Sequence, residues 1–297
     1  MHQTKRRLLA ALMLATASVC SHATAHEHDA AKPVAEKAPA TQAPARRAPG
    51  SESAWTRQPI IVPAGRPERG APTPLAGKGL EASELTVFSP DLKQAPIALP
   101  LDGGRWLVNA PQAGVGGYHW LVARSVAESE IRTATTALAF PSKGPSPADR
   151  MAEIRPGLEV QPLLLPEHGG YREGDTWEFL VRFDGQSVPH AKLNLETENG
   201  TRTRAIADEK GVARVQFPRD FDPATFDKEG GAARTRKAYV VSAEIDKDGI
   251  RHVSAFNQSY YPDVARDRNL AAGLGFLILG MAMASPLLRN KKEKRDA

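Results

Sequence analysis

The sequence predicts a mainly β protein: tandem immunoglobulin-like β-sandwich modules followed by a single C-terminal transmembrane helix. Three observations predict it. From Leu85 onward, short apolar runs alternate with turn residues at the spacing of about 8–12 positions that marks sandwiches rather than β-α-β units. Asp184-Gly185, Asn199-Gly200 and Asp248-Gly249 are the dipeptides that close two-residue hairpins. Leu270–Leu288 carries no charge and runs into Arg289, Lys291, Lys292, Lys294 and Arg295.

The elements follow in order. Lys5, Arg6 and Arg7 precede an apolar run from Leu8 to Val19 and the triplet Ala23-Thr24-Ala25, the three-part pattern of a secretory signal peptide over residues 1–25. Val19 before Cys20 does not suit lipid attachment, and Cys20 is the only cysteine, so cleavage leaves no disulfide and no thiolate. Residues 26–82 read as an Ala/Pro-rich disordered spacer. Its last part, 55–82, reads as a partly ordered connector around Ile60, Ile61 and Val62. A first β-sandwich module spans 83–142, with strands expected at Leu85–Phe88, Ile97–Leu99, Trp106–Asn109, Tyr118–Ser125 and Ala134–Phe140. The Pro/Gly/Ser-rich stretch beginning at Pro141 marks a linker over 143–157.

A second sandwich module spans 158–262. Strands are expected at Trp177–Phe183, Ala191–Glu198, Thr201–Ile206, Val212–Phe217, Tyr239–Ile245 and Ile250–Phe256. Asn199-Gly200 is expected to form a type I′ turn with positive φ at both positions. Between Pro218 and Lys237 lies a long loop of a length that functional loops often have. The transmembrane helix covers 270–288, enough at ~1.5 Å per residue for most of a ~30 Å hydrocarbon core. The basic tail 289–297 is placed in the cytoplasm by the positive-inside bias. The expected location is therefore the cell inner membrane, single-pass, with the ectodomain in the periplasm. Ala271/Gly275 and Gly280/Ala284 are small-xxx-small pairs that permit helix-mediated self-association.

A formal charge of +5 and a pI near 9.3 point at first to nucleic acid. The signal segment contributes three basic residues and the last nine residues a net three more, which leaves −1 for the part between. No basic footprint for nucleic acid remains.

Leu158-Glu159-Val160-x-Pro162, Gly174-Asp175-Thr176 and Val181-Arg182-Phe183-Asp184-Gly185-Gln186-Ser187-Val188-Pro189-x-Ala191 form one run of motifs, continued by Asp208-x-x-Gly211-x-Ala213. Over Leu158–Phe217 this resembles the NikM-like domain-of-unknown-function family, extracytoplasmic β-sandwich proteins linked to nickel and cobalt uptake and other envelope transport. The resemblance implies an accessory role beside a transporter. The loop after Pro218 and the C-terminal helix depart from the shortest form of that pattern.

Cleavage after Ala25 starts the mature chain at His26-Glu27-His28. A free amine, two deprotonated amides and the His28 imidazole make a square-planar nitrogen set suited to Cu(II) or Ni(II), and His26 adds a further imidazole. In the folded part, His168 in Pro-Glu-His-Gly-Gly, with Glu167 beside it, is the best candidate ligand. His119, His190 and His252 read as strand and hairpin residues. None has a zinc-type partner spacing. No nucleophile elbow, P-loop or dinucleotide fingerprint is present, and Glu196/Glu198 read as a solvated strand face. Trp106, Trp120 and Trp177 read as sandwich core. The expectation is a non-enzymatic, membrane-anchored accessory protein of envelope transport. It would handle Ni2+, Co2+ or Cu2+ and partner with a transporter or receptor component. The alternative is a scaffold protein for such a complex with no metal role.

Overall fold

The computed structural model of the chain describes residues 55–65, 71–111, 115–166, 170–226, 231, 234–263 and helical positions between 274 and 284. The first half holds β1 (Ile60–Pro63), β2 (Thr73–Lys78), β3 (Glu84–Phe88), β4 (Ile97–Pro100), β5 (Trp106–Val108), β6 (Gly117–Val126) and β7 (Glu130–Phe140). A short helix, α1 (Ala148–Ala152), leads into β8 (Leu158–Pro162), β9 (Tyr171–Arg172), β10 (Thr176–Phe183) and β11 (Gln186–Ser187). Then come β12 (Lys192–Thr197), β13 (Arg202–Ile206), β14 (Val212–Gln216), β15 (Lys237–Lys247) and β16 (Ile250–Tyr261).

One nine-stranded sheet runs through both halves, in the order β13-β12-β15-β16-β7-β6-β3-β4, with β9 also paired to β16. Two smaller sheets cover it. β1-β2-β5 packs on one face through Ile61, Leu75 and Trp106, which meet Leu85, Leu121 and Ala134. β8, β10 and β14 pack on the other through Val160, Phe179, Val181 and Val215, which meet Trp120, Leu193, Val241 and Phe256. The period-2 alternation of strand side chains makes this possible: Trp120 and Leu121 are neighbours on β6 yet belong to cores on opposite faces. Sandwich packing is as expected, but the halves are not separate beads. They are joined by β7 and β16, which pair in parallel from Glu130↔Arg251 to Thr135↔Phe256. The Thr135 hydroxyl donates to the Ala255 carbonyl (3.1 Å) and the Thr136 hydroxyl to the Asn257 carbonyl (2.7 Å).

Two expected connectors prove to be structural. Residues 143–157 contain α1 and bury Arg150, Met151 and Arg155, so they pack between the halves rather than link them loosely. Residues 55–82 supply β1 and β2. Ile60 and Ile61 are 2% and 3% exposed, and the Asn257 side chain binds both the N–H (2.9 Å) and the carbonyl (2.8 Å) of Ile61. That amide does for β1 what a neighbouring strand does elsewhere. Residues 1–54, with the expected signal peptide and most of the spacer, lie outside the described residues.

The expected type I′ turn at Asn199-Gly200 is also corrected. Only Gly200 has positive φ (94°). Its N–H donates to the Thr197 carbonyl (2.9 Å), and the Thr197 N–H to the Thr201 carbonyl (3.0 Å), a three-residue loop closed by a glycine bulge. The reason lies in the side chain. Asn199 Nδ2 donates to Asp220 Oδ1 (3.2 Å) and to the Tyr260 hydroxyl (3.0 Å), which ties it to the neighbouring loop. The primed geometry falls instead on Asp184-Gly185 (φ 49° and 80°) and Asp248-Gly249 (54° and 78°). A Cβ at Gly200 meets nothing within 4 Å, so Gly200→Val costs only backbone strain, about 1–3 kcal/mol. A urea midpoint equal to that of the parent protein would show the loop to be misplaced.

After Asp263 the described positions Leu274, Leu277, Ile278, Leu279, Met281 and Met283 are helical and 56–73% exposed. Among the described residues no helix is long and apolar enough to cross a membrane. The remainder of 270–288 and the tail 289–297 lie outside them.

Candidate functional site

Beyond Thr135, β7 and β16 part. β7 keeps only β6 as a partner, while β16 takes up β9 in parallel at Tyr260↔Tyr171. The split opens a cavity of about 490 Å³ between the halves. Thr136–Ala139 form one wall, Gln258 and Tyr261 another, and Leu165-Pro166 a lip. Gln258 Nε2 spans the split, donating to the Thr136 hydroxyl (3.1 Å) and to the Ala137 carbonyl. The Tyr118 hydroxyl donates to the Pro166 carbonyl (2.9 Å) and fixes the lip. Burial, and then the nearby Tyr261, raise the Tyr118 phenol above its ordinary value, so it stays a neutral donor. Gly170 has φ 67°, and a Cβ there would fall 2.7 Å from the Tyr261 ring, so only glycine lets that ring close the groove. Arg236 and Glu198 stand among the lining residues, with Glu198 Oε2 accepting the Ala238 N–H (2.8 Å). Apolar walls with a few placed polar groups suit recognition of a ligand.

The halves are held by a buried charge cluster. Glu159 Oε1 accepts from Arg155 Nη1 (2.9 Å) and Oε2 from Arg182 Nε (2.6 Å). Glu159, Arg155 and Arg182 are 4%, 7% and 5% exposed. Arg182 also donates to the Met151 and Ala152 carbonyls (3.1 Å each) and to that of Glu153, and Arg155 Nη2 to the Arg150 carbonyl (2.6 Å). Arg150 in turn reaches into the first half, donating to the carbonyls of Ser89 (2.7 Å), Asp91 (2.9 Å) and Gln94 (3.0 Å). The Arg155 guanidinium lies 5.0 Å from the Phe88 ring and 5.9 Å from Trp120. Burial lowers its pKa, against the pull of Glu159. In the sequence Glu159 and Arg182 stand only as positions in a run of motifs. The available signal was a charge flanked by apolar residues in each of two strands, and the two lie opposite one another in the β8–β10 register.

His26, His28 and His168, the expected metal ligands, lie outside the described residues, though Pro166 and Gly170, on either side of 167–169 in sequence, line the groove. Among the described residues no group of three or more His, Cys, Asp or Glu could hold a metal ion. His190 meets Glu209 at 3.3 Å on the surface. His119 and His252 are buried, each edge-on to a phenylalanine at 4.9 Å (Phe140 and Phe183), and the Nδ1 of each has no hydrogen-bond partner among the described residues. Burial lowers both pKa values; the Gly117 carbonyl opposes it at His119, and Arg124 reinforces it at His252. The unfolded chain therefore takes up protons first as pH falls. The stability from neutral rings is complete above about pH 6.5, the ordinary imidazole value, and is lost as pH drops through it toward the folded values. Urea midpoints should fall between pH 7.5 and 5.5, and the double variant His119→Asn, His252→Asn should flatten that slope. A parent midpoint that does not move over this range would contradict the assignment.

No family model and no curated protein matches the chain. Among solved structures it is similar to a Ca2+-stabilised adhesin that helps an Antarctic bacterium bind ice, at 14% identity over 69% of this chain and 49% of that one, with a TM-score of 0.21. It is similar to a segment of two fibronectin type-III domains from chicken tenascin, at 10% identity over 68% of this chain and 98% of that one, TM-score 0.21. It is similar also to fibronectin(III)-like modules of Clostridium thermocellum CbhA, at 9% identity over 67% and 90%, TM-score 0.22. The chain spans about half the length of the first of these.

Proposed function

We propose that the chain is a non-enzymatic, membrane-anchored accessory protein of envelope transport, whose fused β body stands outside the inner membrane and binds rather than converts. The observation that carries this reading is the sequel to the β body: a helical stretch whose described apolar side chains are exposed, in a segment without charge that ends in a basic cluster. Exposed apolar surface of that extent calls for lipid or a partner. A reporter active only outside the cytoplasm should work when fused at Asp263 and be silent after Ala297; the reverse pattern overturns the topology.

Within that role we assign transition-metal handling to the amino-terminal arm. The His26-Glu27-His28 start and the likeness of Leu158–Phe217 to the NikM-like family support nickel, cobalt or copper as cargo. Uptake of Cu(II) or Ni(II) by protein of verified N-terminus should rise with pH, because the amine and two amides must lose protons. It should vanish in His28→Ala and only weaken in His26→Ala. Uptake that survives His28→Ala removes this site. The scaffold reading then takes its place, with the groove at the β7–β16 split as its recognition surface.

A further inference from the structure

We propose that the end of the β body from which the chain leaves for the membrane carries a docking cleft for the phosphate of an anionic lipid headgroup. This rests on the membrane anchorage proposed above. The cleft, about 430 Å³, lies where the free edge of β13 faces β14, and Arg204, Arg214 and Arg219 line it. Among the described residues no carboxylate lines it. Arg214 has a long pairing with Glu178 (3.9 Å), whereas Arg204 and Arg219 have no ion-pair partner among the described residues. Asp220, next to Arg219, is already committed: its carboxylate accepts from Thr197 (2.8 Å), Tyr260 (2.6 Å) and Asn199 (3.2 Å). Three arginines thus stand among the lining residues of one cleft.

The position of the cleft selects its ligand. Glu173 Oε1 accepts the Asp263 N–H (3.0 Å), which pins the point where the chain leaves the body. The next residue, Gly174, lines the cleft, and a Cβ there would lie 2.8 Å from Arg219 Nε, so the guanidinium rests on the glycine. Six residues separate Asp263 from Leu270, a span of seven Cα steps and a reach of at most about 25 Å. The cleft is therefore confined near the surface in which the anchor sits. Guanidinium groups favour phosphate through paired N–H donors, and anionic lipid is the phosphate source fixed at that surface.

The test uses the full chain in lipid nanodiscs, read by amide hydrogen exchange at residues 203–205 and 214–219. Discs of phosphatidylglycerol and phosphatidylcholine should slow exchange there severalfold relative to phosphatidylcholine alone. The protection should disappear in Arg204→Gln, Arg219→Gln, with exchange in β16 unchanged as the control for folding. It should also disappear near 1 M salt, where the screening length falls to about 3 Å. Equal exchange in both discs, or protection by inorganic phosphate in neutral discs with none from phosphatidylglycerol, overturns the proposal. A chain that does not enter discs at all overturns the anchorage on which it rests, and the two failures are distinct.

Discussion

Glu159→Ala should lower the unfolding free energy by about 3–5 kcal/mol, because it leaves two buried guanidinium groups without their counter-charge. Among the described residues the carboxylate is the only side chain that bonds both Arg155 and Arg182. Its loss strands cations whose other hydrogen bonds go to carbonyls of the α1 segment. Against a total of roughly 5–15 kcal/mol, this approaches global unfolding. Glu159→Gln keeps the shape and one acceptor and should cost less. A triple exchange to Arg155→Met, Glu159→Leu, Arg182→Met should recover much of the loss, since buried ion clusters are often matched by apolar ones of similar volume. Urea denaturation reads all three. A parent-like midpoint for Glu159→Ala would mean that water reaches the cluster and that it does not clamp the halves.

Phe256→Ala should cost about 3–5 kcal/mol through the cavity it leaves, and the loss should fall on both halves at once. Phe256 is fully buried and stacks on Trp120 of the first half at 5.4 Å, while Phe179 and Tyr239 of the second approach to 6.2 and 6.4 Å. Its strand pairs in parallel with β7. Tryptophan fluorescence and far-ultraviolet circular dichroism should therefore move together in a single transition, in variant and parent alike. Two separated transitions would show that the shared sheet does not couple its ends. Ile206→Ala, at a position 67% exposed, should stay within about 0.5 kcal/mol.

The hairpins were legible in the sequence because their signals are local. Asp184-Gly185 and Asp248-Gly249 sit between alternating strands, and both turn as their dipeptides require. Three features were not legible. β1 and β2 are short, and Pro74 and Gly77 interrupt the β texture; what orders Ile61 is Asn257, 196 residues away. The parallel pairing of β7 with β16 brings together strands more than a hundred residues apart, and no local pattern encodes such a partner. Arg150 and Arg155 lie in a Pro/Gly/Ser-rich stretch whose composition reads as a loop, yet their side chains supply the order that its backbone propensities lack. The candidate groove was invisible for the same reason. It exists only because β7 and β16 separate after Thr135, while the histidines that the sequence put forward as ligands, His26, His28 and His168, lie outside the described residues.

The place of β16 in the sheet has a mechanical consequence. It is the last strand before Asp263; β15 flanks it along nearly its whole length and β7 along Arg251–Phe256. Tension drawn through Asp263 runs along this strand, across inter-strand bonds that stand roughly perpendicular to it on the antiparallel side. Those bonds are loaded in shear and must fail together, whereas a strand peeled from a sheet edge gives them up one by one. A pull applied at Asp263 is thus resisted by the centre of the sheet, and the first half, bound through β7, shares the load.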